Sequence, residues 1–374
     1  VKLERQADGK YSFVQVKNTG SDSSAWWYQY GFSSMADLNN YGLQLASRPV
    51  DITTYVDTNG KRRYDASFID NANDSTRRMR SLLGSTFLDA NGNPTKGIFE
   101  SYLKQVNSSV KVDLNSGRRA ETASALKSLH LLHSMQQVEA GNDVLNSAFT
   151  YYEYDPIAGK DACPDPAKEN ATNKRTNYNF ETGLDEMMRI SDNRTTRGTV
   201  LRYGGFTPFN ATATAAGMGS TTLRHNIGCA YWNFTTGKYD PAARRNDTSA
   251  ADLARIYEGV YNQTLLTNTN SARDEFFESA NPNVGASDAL QAIINQEAAA
   301  LGKSAIAAQF GSLVKTWGKG GSYGTCLGDN NGGCGQMVIV RSGAGLIQIP
   351  GKARGLISYR TYSFGRLISD TPVS

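Results

Sequence analysis

The sequence predicts an α+β fold, an antiparallel sheet with a helical domain, preceded by a small β-rich module. Three observations carry this reading. Helical periodicity dominates the middle of the chain, at residues 126–138, 142–151, 184–190, 250–261 and 287–301. After Lys315 the pattern changes to β-prone runs at 337–340, 346–349 and 356–364, separated by glycine-rich turns. The first hundred residues hold alternating runs of their own. A helical centre flanked by extended segments suits a sheet closed by the two ends of one domain.

At 374 residues the chain can form one large domain and a smaller module, placed at 97–374 and 1–96. The module contains an internal echo: GKYSFVQVKN at 9–18 resembles GKRRYDASFIDN at 60–71, each a β-prone run ending in asparagine. Between them lie Trp26-Trp27-Tyr28, a short helix capped by Ser34 through Met35, Leu38 and Leu43, and a strand at 50–56. Trp26, Trp27, Tyr28 and Tyr30 read either as the core of a small β module or as a platform for stacking a sugar or polymer. Next come a helix bearing Ile98, Phe99, Tyr102 and Leu103 and an extended run at 110–114; the segment between Gly97 and Ser124 is too short for a full β-hairpin.

Composition excludes several classes. The formal charge of +4 is spread out, with no basic run longer than Lys61-Arg62-Arg63, so nucleic acid is not an expected partner. No apolar run approaches the roughly 20 residues of a membrane helix, and the chain opens on Val1-Lys2-Leu3 without a hydrophobic leader. Cys326 and Cys334 flank the loop at 327–333, while Cys163 and Cys229 lie in other loop-like segments. Their simplest pairing, Cys326 with Cys334 and Cys163 with Cys229, implies a secreted or periplasmic protein; four free thiols in the cytosol are the alternative. Sequons at Asn73, Asn107, Asn170 and Asn262 are compatible with export. With no Cys-x-x-Cys and three histidines, neither a metal nor another cofactor is expected.

Ser124 and Lys127 stand one turn apart in Thr122-Ala123-Ser124-Ala125-Leu126-Lys127, which puts a hydroxyl and an amine on one helical face. Two further segments follow: Met187-Met188-Arg189-Ile190-Ser191-Asp192-Asn193, and Trp317-Gly318-Lys319-Gly320-Gly321-Ser322-Tyr323-Gly324. In this order the three resemble the Ser-x-x-Lys, Ser-Asp-Asn and Lys-Thr-Gly motifs of the class A β-lactamase and penicillin-binding protein superfamily, over residues 97–368. The N-terminal region is similar to the bacterial tandem repeat domain that often precedes secreted serine hydrolases.

The resemblance implies a β-lactamase-like domain and an acyl-enzyme on Ser124. A buried lysine beside a second cation can lose its proton near neutral pH and take that of the serine. In the family's pattern Lys127 is that base, Lys319 the second cation and Ser191 the relay returning the proton to the leaving group. Asn193 then holds both Lys127 and the substrate, Gly321 and Ser322 line the substrate strand, and the N–H groups of Ser124 and Ser322 form the oxyanion hole. His130 and His133 read as packed histidines; His225 is a candidate for the site.

Two departures narrow the expected activity. In the counterpart of the loop that carries the family's water-activating glutamate, 221–229, Ile227 falls at the glutamate position and no carboxylate follows before Asp240. Gly320 replaces the threonine that helps bind the substrate carboxylate. Acylation is therefore expected and fast β-lactam turnover is not, leaving Lys127, Ser191 or His225 to clear the acyl group. The chain also ends soon after its last strand, with little room for a closing helix. The expected substrate is a small-molecule, peptide or polymer ester or amide. Rival readings are a DD-peptidase, a slow β-lactamase, or a binding protein on an inert hydrolase fold.

Overall fold

The structure, a computed structural model, describes residues 2–5, 10–14, 26–44, 47–70, 98–108, 110–153, 169–228, 232–233, 238–239, 245–327, 336–353 and 356–369. Two compact units divide the chain, Val1–Phe99 with Lys111–Asn115, and Glu100–Val110 with Ser116–Ser374. Cys163, Cys229 and Cys334 lie outside the described residues, as does the side chain of Cys326, and their pairing with them.

In the first unit β1 (Lys2–Arg5) pairs with β2 (Tyr11–Val14). β3 (Trp26–Phe32), α1 (Met35–Gln44), β4 (Ser47–Val56) and β5 (Arg62–Asp70) follow, with β5 the central strand of a β3-β5-β4 sheet. Ser34 caps α1 as the sequence predicts, its Oγ accepting the Asp37 N–H at 3.1 Å. The β4–β5 turn is shaped by Asp57, whose Oδ1 accepts the N–H groups of Asn59 and Lys61, both at 2.9 Å. Leu38, Ala66 and Phe68 form the core, with Trp27 packed against it; Tyr28 and Tyr30 are exposed and stack on each other at 6.2 Å. The two echoing segments supply β2 and β5, strands of different sheets.

Residues 98–114 are two strands, β6 (Ile98–Gln105) and β7 (Val110–Leu114), which corrects both the helix expected at Ile98–Leu103 and the expectation that the stretch is too short for two strands. Ile, Phe and Tyr favour a pleated surface, and β6 joins the main sheet, so tertiary pairing overrides the helical spacing. A 3₁₀ turn (Ala123–Leu126) runs into α2 (Lys127–Glu139), whose residues from Lys127 to Met135 are all buried. A helix buried all round is the centre of its layer. His130 Nδ1 and His133 Nδ1 meet Thr199 Oγ1 and Thr212 Oγ1, each at 2.9 Å, as packed histidines.

A second correction concerns 142–151, where β8 (Ala148–Tyr152) stands in place of a helix and pairs with β9 (Lys174–Asn179). Phe149 and Tyr151 are buried alternately, at a strand's period of two. α3 (Phe180–Arg189), α4 (Asn193–Arg202) and α5 (Thr207–Ala215) follow, then β10 (Trp232–Asn233) with β11 (Lys238–Tyr239), α6 (Ala250–Tyr261) and α7 (Ala272–Ser279). Among the described residues no helix is long and apolar enough to cross a membrane.

The unit ends with β12 (Asn283–Val284), α8 (Asp288–Ala300), α9 (Ala307–Ser312), β13 (Lys315–Leu327), β14 (Gln336–Ala353) and β15 (Leu356–Ser369). The sheet runs β12-β13-β14-β15-β6. The separate strands predicted at 337–340 and 346–349 are one continuous β14. Gly345 serves close approach rather than turning: it faces Gly318, and a Cβ on it would fall 1.9 Å from the Trp317 carbonyl oxygen.

Candidate active site

Ser124 sits in a turn held by its neighbours. Ala123 is left-handed, with φ 48°, a conformation that costs an alanine about 1–2 kcal/mol. The Thr122 carbonyl accepts the Ala125 N–H at 3.2 Å and the Ser342 hydroxyl from β14. Ser124 thereby lies in the 3₁₀ turn, and Lys127 opens α2 beneath it.

The turn between α3 and α4 supplies the next pair. Met187 and Met188 anchor the end of α3 in the core, and Ser191 reverses the chain with φ 65°. Asp192 then caps α4, accepting the N–H groups of Arg194 at 2.6 Å and Thr195 at 3.2 Å, and pairs with the Arg194 guanidinium. Phe149 holds the two helices together, wedged against Gly183 of α3 and Gly198 of α4, where a Cβ would come within 2.5 Å of its ring.

These turns converge on Lys127. Its Nζ donates to the Ser191 carbonyl at 2.5 Å and to Asn193 Oδ1 at 2.7 Å, and lies 3.3 Å from Ser191 Oγ. A neutral amine has two hydrogens and one lone pair. The carbonyl and amide oxygens only accept, so they take both hydrogens and leave the lone pair for a hydroxyl. Burial, reinforced by the charge of Lys319 and opposed by Asp192, brings the Lys127 ammonium down to about 6. Burial alone brings Lys319 down to about 8.

Lys319 and Gly321 share one face of β13, and Gly320 and Ser322 share the exposed other. A Cβ on Gly321 would lie 2.6 Å from the Ser124 nitrogen and 2.7 Å from both the Ala125 nitrogen and the Thr122 oxygen. The strand thus packs directly on the Ser124 turn. Gly318 donates its N–H to the Ala280 carbonyl at 2.8 Å, away from β14. In an antiparallel strand this direction repeats every second residue, so Gly320 and Ser322 also turn their N–H groups to that edge. Beyond Thr316 the edge has no strand partner among the described residues.

Lys127, Ser191, Asn193 and Lys319 are therefore drawn together, with Gly321 set against the Ser124 turn. His225 lies among other partners, its Nδ1 2.8 Å from the Asn226 carbonyl, its Nε2 accepting the Asn246 N–H at 3.1 Å and standing 3.6 Å from Glu121 Oε1. Ile227 is a core residue. The loop that follows Arg224 is pinched at its base, where Arg224 binds Asp247 at 2.8 Å and Thr222 and Asp247 exchange backbone hydrogen bonds. Sequence reasoning gave Asp192 no role of its own within its motif and passed over Ser342, Asn246 and Glu121. Only Asp192 carried a signal, an aspartate just before a helical run.

The β-lactamase enzyme family model matches residues 85–281, more than half of the chain. The TLA-1 extended-spectrum β-lactamase has a similar structure, 12% identical over 80% of this chain and 91% of that one, with a TM-score of 0.54. A β-lactamase from Chitinophaga pinensis is 15% identical over 80% and 93%, with a TM-score of 0.52. A class A representative from Bacteroides cellulosilyticus is 17% identical over 79% and 88%, with a TM-score of 0.51. No curated protein matches the sequence. Likeness at this identity establishes an α+β, β-lactamase-like fold, and with the match of the family model the chain belongs to the β-lactamase enzyme family.

Proposed function

We propose that the protein is an exported serine hydrolase that cleaves an ester or amide through an acyl-enzyme on Ser124. The observation that carries this reading is the buried Lys127 amine, its hydrogens committed to Ser191 and Asn193 and its proton affinity brought down to about 6. At pH 7 such an amine is largely neutral and can take the Ser124 proton as the hydroxyl attacks the carbonyl carbon. The proton then passes through Ser191, whose Oγ is 3.3 Å away, to the leaving group. Asn193 and Lys319 orient the substrate. The N–H groups of Ser124 and Ser322 receive the oxyanion, each worth roughly 3–4 kcal/mol.

Incubation with a fluorophosphonate or a β-lactam, followed by peptide mass spectrometry, should place the adduct on Ser124. Active, folded protein without that adduct would end this reading. Ile227 and Gly320 favour an ester or peptide substrate over rapid β-lactam hydrolysis, since the loop lacks the expected carboxylate and the strand the expected hydroxyl. Hydrolysis of D-Ala-D-Ala peptides without turnover of simple esters would assign the protein to the DD-peptidases instead. The exposed Tyr28–Tyr30 pair supports a second role for the N-terminal module, holding a polymer against its stacked rings. Loss of polymer retention in a Tyr28→Ala, Tyr30→Ala variant with unchanged ester hydrolysis would establish it.

A further inference from the structure

Two backbone segments carry the oxyanion donors assigned above, the turn that bears the Ser124 N–H and β13, which bears that of Ser322. Their relative placement decides whether both N–H groups reach one oxygen. Ser342 of β14 touches both segments. We propose that Ser342 is a positioning residue for the oxyanion hole, its hydroxyl holding the strained turn before Ser124 in place against β13. The inference rests on the acyl-enzyme reading above and adds how the nucleophile turn keeps its shape.

Ser342 stands opposite Gly321 in the β13–β14 ladder. Gly320 and Ser322 turn their N–H groups to the open edge, so Gly321 turns its own toward Ser342. Opposite residues present their side chains on one face of a sheet, here the face on which the Ser124 turn packs. Because Gly321 has no side chain, the turn comes close enough for a short side chain on the next strand to reach it. The Ser342 hydroxyl donates to the Thr122 carbonyl, and its Oγ lies 3.4 Å from the Gly321 carbonyl oxygen. A hydroxyl has one hydrogen, and the nearer acceptor, Thr122, takes it. Ser342 and Thr122 are both buried, which withholds this bond from bulk water.

The residue restrained by this bond is Ala123. Its backbone is left-handed, with φ 48°, and such a conformation persists only where the surroundings over-determine it. On its N-terminal side the Thr122 carbonyl accepts the Ala125 N–H at 3.2 Å and the Ser342 hydroxyl; on its C-terminal side is the peptide that carries the Ser124 N–H. Thr122 Oγ1 is buried and makes no hydrogen bond among the described residues, so it adds no hold of its own. Without the Ser342 hydroxyl only the 3.2 Å bond remains on that carbonyl. Relaxation of Ala123 then swings the Ser124 N–H out of line with that of Ser322. Lys127, held separately by Ser191 and Asn193, keeps its place, so the loss falls on charge stabilisation rather than on the base.

The test uses the full chain and p-nitrophenyl acetate. Ser342→Ala should acylate on the order of 100-fold more slowly with KM little changed, the cost of a reacting group misplaced by about 1 Å. The stretch of an isotope-labelled acetyl carbonyl on Ser124, read by infrared difference, should move to higher wavenumber as its hydrogen bonds weaken, a signature that a merely structural residue would not alter. Ser342→Thr keeps the hydroxyl on a strand that suits a β-branched side chain, and should restore both. Ser342→Cys fills nearly the same space with a weak donor, and should behave as Ser342→Ala does even if the alanine variant fails to fold. A folded alanine or cysteine variant with the wild-type acylation rate, or with an unmoved carbonyl stretch, would overturn the proposal. A loss in Ser342→Thr as large as in Ser342→Ala would overturn it too. No acetyl on Ser124 in the wild type would instead overturn the acyl-enzyme reading itself.

Discussion

Lys127 Nζ and Asn193 Oδ1 lie 2.7 Å apart, inside a turn that offers the amine only acceptors before the Ser191 hydroxyl is reached. An anion at that distance would hold the proton on the lysine. Asn193→Asp should therefore move the acidic limb of acylation from about pH 6 upward by one to three pH units, and slow acylation at pH 7. Asn193→Ala, which adds no charge, should lose rate without that shift. Pre-steady-state acylation rates between pH 5 and 9 separate the two.

Lys319 acts on the same amine with opposite sign. Its charge lowers Lys127, so Lys319→Gln should raise the Lys127 pKa and shift the limb toward alkaline pH, whereas Lys319→Arg should keep it in place. The pH profiles of the two variants, compared at matched substrate saturation, check this. Identical profiles would mean that the charge of Lys319 does not reach Lys127.

Gly321 has no room for a methyl group, because the atoms it would meet are main-chain atoms of the Ser124 turn. Gly321→Ala should displace that turn, lower kcat/KM by at least about 100-fold, and destabilise the fold by roughly 1–3 kcal/mol. Urea unfolding and ester kinetics on one preparation measure both effects. A fully active variant would show that β13 can retreat from the nucleophile at little cost.

Glu100 is buried on β6 with neither oxygen hydrogen-bonded among the described residues, and burial pushes its carboxyl up to about 8 against the pull of Arg118. The folded state keeps a proton that the unfolded chain releases above about 4.5. Stability from this group is thus complete below that pH and is lost as the pH rises through about 8. Glu100→Gln, always neutral, should gain about 1–3 kcal/mol over the wild type at pH 7.5 and little at pH 4.5, by urea titration at each pH.

The helical elements most legible in the sequence were those whose signals are local. The runs read at 250–261 and 287–301 were marked by periodicity, and the structure has helices there at Ala250–Tyr261 and Asp288–Ala300, capped by Ser249 and Ser287. Where pairing partners decide, the pattern misled: Ile98, Phe99, Tyr102 and Leu103 sit at helical spacing yet lie on a strand of the main sheet. Gly343 and Gly345 read as turns yet lie inside one strand, and a sequence does not reveal that the Trp317 backbone will press against Gly345. At the site, Ser124, Lys127, Ser191, Asn193 and Lys319 were legible through their order and spacing. The surroundings of His225 were not, since Glu121 and Asn246 reach it only after the chain folds back.

Thr222, Arg224 and Asp247 clasp together two points of the chain more than twenty residues apart. The two ends are held to each other by backbone hydrogen bonds and an ion pair. Closing a loop costs entropy that grows only slowly with its length, about 0.6 kcal/mol for each doubling, so contacts this close to the ends do most of the work of closure. Lys127, Ser191 and Lys319 are anchored by other elements than the one this clasp closes.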